Sequence, residues 1–140
     1  MANVFANTYA EPSYGVDDEP RTMVKHMQTT ASVATGSVIY MGHIPAGAYI
    51  MGIDRKSADL GTGTVNIGYT NDETTAATAF ASALDVGAGA LAMAPLDFAP
   101  LKVNRKTDII VTTSSTGNLS GQFDLVVTYR TDGVGTRLYT

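Results

Sequence analysis

Between Gln122 and Arg130 the residues alternate strictly. Phe123, Leu125, Val127 and Tyr129 fall on one side and Gln122, Asp124, Val126, Thr128 and Arg130 on the other. Successive side chains of a strand point to opposite faces, so this period of two describes a strand with one apolar stripe turned inward. Thr64 to Thr70 repeats the pattern, with Val65, Ile67 and Tyr69 set against Thr64, Asn66, Gly68 and Thr70. The two stripes are expected to share one core. Around them lie Val38-Ile39-Tyr40-Met41, the β-branched run Asp108 to Thr113, which reads as buried on both faces, and Tyr49 to Arg55. In the last of these, Tyr49, Met51 and Ile53 are expected on one face and Ile50, Gly52 and Asp54 on the other. Pro45-Ala46-Gly47, Asp59-Leu60-Gly61-Thr62-Gly63 and Thr116-Gly117-Asn118 carry turn chemistry, and the last two read as hairpin turns. Six to eight short strands at such spacing predict an all-β fold, an antiparallel, jelly-roll-like β-sandwich.

Two segments depart from this pattern. Asn71 to Leu84 begins with acidic residues, continues in Ala and Thr around Phe80, and has Gly87 beyond it. Acid in a first turn, Ala after it and Gly past the end predict a short helix near 72–84, with a long mobile loop as the alternative. Residues 1–22 fit neither period: they carry Pro12, Pro20, the run Asp17-Asp18-Glu19, and Phe5, Tyr9 and Tyr14. They read as an extended N-terminal arm attached to a β-sandwich domain over 23–140. Proline opposes regular ladders, and the arm's aromatics need a surface. The arm is therefore expected to lie on a neighbouring molecule, with Phe5, Tyr9 and Tyr14 as protein-interface anchors.

The 140 residues suit one domain. Nine basic residues against thirteen acidic ones give a net charge of −4, so the basic face that nucleic-acid binding requires is not expected. Lys102, Arg105 and Lys106 read as a solvated hairpin loop. The charged fraction is 16%, against about 25% for an average domain, and such a surface suits contact with other protein. With no cysteine, disulfides and thiolate metal sites are unavailable to the chain. No apolar run approaches a membrane span. The first residues lack the basic and apolar regions of a signal peptide, so synthesis in a cytoplasm without export is expected.

Catalytic signatures are not found. His26 and His43 each sit in an expected strand, with no acidic residue at ligand spacing, and read as surface or interface residues. Asp17-Asp18-Glu19 lacks the alternating ligands and central Gly of a calcium loop. Gly61, Gly63 and Gly68 miss the dinucleotide spacing, and no helix follows them. No catalytic residue, metal site or cofactor is therefore assigned, and the chain is not expected to be an enzyme. Tyr40, Tyr49, Tyr69 and Tyr129 fall inside strands and read as core. Tyr9, Tyr14 and Tyr139 suit interfaces, where Tyr is enriched.

Taken together, several features resemble the small β-sandwich head-decoration or minor capsid proteins of tailed bacteriophages. They are Pro45-Ala46-Gly47, the strand with Asp54-Arg55, Asp59-Leu60-Gly61-Thr62-Gly63, Val65-Asn66-Ile67-Gly68-Tyr69, the Ala-rich segment around Phe80, Asp108 to Thr113 and Gly121 to Tyr129. The resemblance spans about residues 36–130 and is one of fold and turns, without an invariant signature. It implies a virion protein that binds the assembled capsid as a decoration or cement subunit and stiffens the shell. It further implies the major capsid protein or other virion proteins as partners, and a homo-oligomer with three subunits as first choice. Two alternatives stay open: a tail, neck or fibre-associated adaptor, and a soluble sugar- or peptide-binding module.

Overall fold

The computed structural model of the protein describes residues 3–6, 9, 21–33, 36–61, 63–86, 90–113 and 119–131, and the regular structure among them is entirely strand. In chain order the strands are β1 (Asn3–Phe5), β2 (Arg21–Val33), β3 (Val38–Ile44), β4 (Tyr49–Ser57), β5 (Thr64–Thr70), β6 (Thr75–Asp85), β7 (Leu91–Pro95), β8 (Leu101–Lys102), β9 (Thr107–Thr113) and β10 (Leu119–Thr131). One sheet has the order β1-β3-β9-β5-β6, the other β2-β10-β4-β7, with β8 also pairing β4. Apart from β1, which lies parallel to β3, every pair is antiparallel. After β2 the chain passes back and forth between the sheets, in the manner of a jelly roll.

The core lies between the sheets. Met27, Ile50, Ile53, Phe123, Leu125, Val127 and Tyr129 come from one side, and Ile39, Met41, Ile44, Val65, Ile67, Phe80, Ile109 and Val111 from the other; all are buried in one cluster. Tyr69 is half-buried against it, its ring centroid 6.0 Å from that of Phe80. Buried Lys25 spans the gap at the sandwich edge, its Nζ donating to the His43 carbonyl at 3.3 Å.

The segment expected to be helical is strand β6. Its acidic start is a hairpin turn: Asn71 Oδ1 accepts the backbone N–H of Glu73 and Thr74 at 2.9 and 3.0 Å, and Asn71 N–H donates to the Thr74 carbonyl. An Asn that caps its own turn uses the same chemistry as a helix N-cap, so the two look alike in sequence. Helix propensity is a weak prior that tertiary pairing overrides, and here β5 supplies the pairing. β6 is irregular. Between Tyr69↔Ala76 and Ile67↔Ala81 it uses five residues against two on β5, and a second register shift lies near Ala83, whose φ is +55°.

Other expectations change in detail. β4 bulges against β10, with Thr128 opposite Gly52 but Tyr129 opposite Ile50. The extra residue, Met51, is thrown outward, and Ile50 joins Ile53 inside. The Asp59–Gly63 turn is not a hairpin, because β4 and β5 belong to different sheets. Residues 116–118 lie outside the described residues, and the strands they separate, β9 and β10, are likewise in different sheets. Lys102, Arg105 and Lys106 join β8 to β9 across the sandwich. Arg105 is ion-paired there with Asp72 and Glu73, at 3.1 and 2.6 Å.

The described part of the N-terminal arm packs on its own domain. β1 pairs with β3 in the register Val4↔Ile39, Ala6 N–H donates to the Tyr40 carbonyl at 2.9 Å, and Ala6 is buried. β2 already begins at Arg21, inside the segment assigned to the arm. Tyr14 lies outside the described residues.

Candidate functional site

On the outer face of the first sheet, β3 pairs with β9 through a bulge: Tyr40 is opposite Ile110, but Gly42 is opposite Ile109. In a regular strand residues 40 and 43 would point to opposite faces. The extra residue, Met41, puts both on the same one. His43 therefore meets its cross-strand partner Asp108, Nδ1 lying 2.6 Å from Oδ1. Tyr9 closes over the pair. Its ring stands edge-on to the imidazole with centroids 4.4 Å apart, and its hydroxyl donates to Asp108 Oδ2 at 3.4 Å. Phe5 packs on Tyr9 and Tyr40 at 4.9 and 5.3 Å. Tyr9, Tyr40, His43 and Asp108 also line a shallow cleft that Thr70, Asn71, Asp72 and Lys106 complete.

This arrangement works as a fastening. β1 contributes only three residues, too few to hold a parallel edge unaided, and the Phe5–Tyr9–His43–Asp108 chain adds ring contacts and a hydrogen bond. Partial burial, and secondarily the Asp108 carboxylate, push the Tyr9 hydroxyl above its ordinary pKa. Because the folded value is raised, the neutral tyrosine's contribution is fully present below the unfolded pKa of about 10 and is lost as pH rises through the folded one. In an ultraviolet tyrosinate titration, the difference between wild type and Tyr9→Phe is expected to show one group ionising above the ordinary tyrosine value of about 10. In Asp108→Asn the same group should move part of the way back. A difference curve that titrates at the ordinary tyrosine value of about 10 would show that Tyr9 is not engaged.

The outer face of the second sheet is different in character. Val24, Met51 and Met93 are exposed there, and Phe5 on the first sheet is the fourth large apolar side chain exposed among the described residues. Near them Asp124 is buried, although it lies on the outward side of β10. Gln122 Nε2 donates to its oxygens at 3.0 and 3.3 Å, and His26 Nε2 is 4.0 Å away. Lys56, Ala58 and Ala92 border the same shallow cleft.

Of the anchors chosen from sequence, Phe5 and Tyr9 meet in the fastening, with Phe5 57% exposed. The apolar stripes of β5 and β10 belong to the core, with Val65, Ile67, Phe123, Leu125, Val127 and Tyr129 inside it and Tyr69 packed against it. The His43–Asp108 pair had no local signal, since the partners are 65 positions apart and only the strand register joins them. Among the described residues no cluster of three or more His, Asp or Glu could hold a metal ion, and no helix is long and apolar enough to cross a membrane.

No protein-family model matches the sequence, and no curated protein does either. Solved structures do. A chain in the capsid of Ralstonia phage GP4 superposes with a TM-score of 0.64 at 14% identity, over 92% of this chain and 97% of that one. A chain of the cyanophage Pam1 capsid asymmetric unit gives 0.63 at 23% identity, over 87% and 91%. A chain of the acidic stable capsid of Helicobacter pylori bacteriophage KHP30 gives 0.59 at 13% identity, over 81% and 94%. At these identities the likeness establishes a common fold, and it extends over nearly the whole of each matched chain.

Proposed function

We propose that the protein is a structural component of a bacteriophage virion, bound to the assembled capsid as a decoration or cement subunit. The observation that carries this is the shared fold, which runs over 81–92% of the chain in common with chains of three phage capsids. The surface agrees with it. Charge is sparse, and both outer faces present large apolar side chains, Phe5 on one and Val24, Met51 and Met93 on the other. Such side chains mark protein contacts when they gather on one face. Its partners are then the major capsid protein and copies of itself, with three subunits the number that the sequence resemblance implies. Phe5 is the arm residue best placed for contact with a partner. The role requires no cofactor or catalytic group.

Quantitative mass spectrometry of purified particles of the encoding phage tests this reading. The chain is expected at a fixed, high ratio to the major capsid protein. A few copies per particle would move it to the tail or neck, and its absence from particles would overturn a virion role.

A further inference from the structure

We infer that the free edge of β2 is a pairing site for β2 of a second copy of this chain, antiparallel and about a twofold axis. A sheet edge exposes unpaired N–H and C=O groups, and proteins blunt such edges with short strands, bulges and prolines. Among the described residues the two sheets have four edges, and three of them are blunted. β1 has three residues; β6 carries two register shifts and the positive-φ Ala83; the β7/β8 edge consists of five and two residues, with β7 ending at Pro95. β2 is the exception. It runs for 13 residues without Pro or Gly, and its register with β10 continues unshifted from Arg21↔Thr131 to Val33↔Leu119. Among the described residues no strand pairs its other side. A lysine can guard an edge, but Lys25 is turned between the sheets and bonds the His43 carbonyl.

The distribution of charge along β2 selects the occupant. Arg21, Lys25 and His26 all lie in its first half, and Gln28-Thr29-Thr30-Ala31-Ser32-Val33 carries no charge. Parallel pairing in register would set each basic residue beside its own copy, which is unfavourable. Antiparallel pairing over the full strand centres the axis on Met27, the midpoint of Arg21 and Val33. Arg21 then lies opposite Val33, Lys25 opposite Thr29 and His26 opposite Gln28, so no like charges meet. Strand addition of this kind takes its affinity from main-chain hydrogen bonds. The contact is isologous, separate from a threefold contact, and one shell can contain both.

The chain has no cysteine, so introduced thiols report on pairing alone. Two single variants of the full chain, His26→Cys and Gln28→Cys, are mixed in equal amounts and oxidised, and the products are identified by intact mass. A second pair, Val24→Cys with Thr30→Cys, tests the same register independently. Mixed disulfide dimers are expected well in excess of random pairing for both mixtures. Monomer alone, or a random mixture of dimers, would overturn the proposal. Failure here is distinguishable from failure of the virion reading: a chain present on particles that never cross-links defeats only the edge pairing.

Discussion

Replacing Gly68 with alanine is expected to destabilise the protein by roughly 3 kcal/mol, at the upper end of what overpacking a core position costs. Gly68 is the β5 residue opposite the widest irregularity of β6. A Cβ built there would stand 2.0 Å from the Ala76 carbonyl oxygen and 2.5 Å from the Ala77 carbonyl carbon. Both are backbone atoms, so no rotamer change relieves the contact; β6 itself must move, and Phe80 in the bulge would move with it. Gly52 is the internal control, because a Cβ there meets nothing within 4 Å. Gly52→Ala is expected to be neutral or to stabilise by up to about 1 kcal/mol, the usual advantage of Ala over Gly inside a strand. Urea unfolding followed by circular dichroism reads both. A Gly68→Ala midpoint equal to wild type would mean that β6 does not approach β5 as described.

Leu125→Ala is expected to cost roughly 2–5 kcal/mol. Leu125 is fully buried, on β10 between Met27 of β2 and Arg55 of β4. Truncation leaves a cavity in the middle of the second sheet, where strands on both sides limit collapse. The midpoint should fall with the urea slope unchanged, as for a loss of stability without a change in the surface exposed. A loss below roughly half a kcal/mol, the range of ordinary surface substitutions, would place Leu125 outside the core.

The difference between β10 and β6 shows what could be read in advance. β10 is a central strand, so its inward face is uniformly apolar and its period of two is undisturbed. β6 is an edge strand whose bulges break that period, and its Ala-rich sequence has two large apolar side chains, Phe80, which is buried, and Leu84, which is only partly so. Bulges also explain the misassigned faces of β4, where one extra residue, Met51, exchanges inside for outside. The turns were legible as bends but not as connections. Gly61 and Gly63 mark where the chain reverses, yet nothing local says that it reverses into the opposite sheet. The fastening around Tyr9 was half legible. The aromatics signalled a need for a surface, but the surface is β3 and β9 of the same chain, and it exists only once Asp108 has been brought beside His43.

The order of strands also governs how the protein can be made. β10 is the only described strand joining β2 to β4, so β2 cannot join the sheet that β4 forms with β7 and β8 until β10 has left the ribosome. Met27 and its partner Leu125 are separated by 98 positions (125 − 27), which at synthesis rates of about 5–20 residues per second is a delay of roughly 5–20 s. During that interval β2 has no partner strand among the described residues. A ribosome stalled before codon 119 therefore holds a chain whose β5–β6 hairpin can close but whose β2 has no described strand through which to join the second sheet.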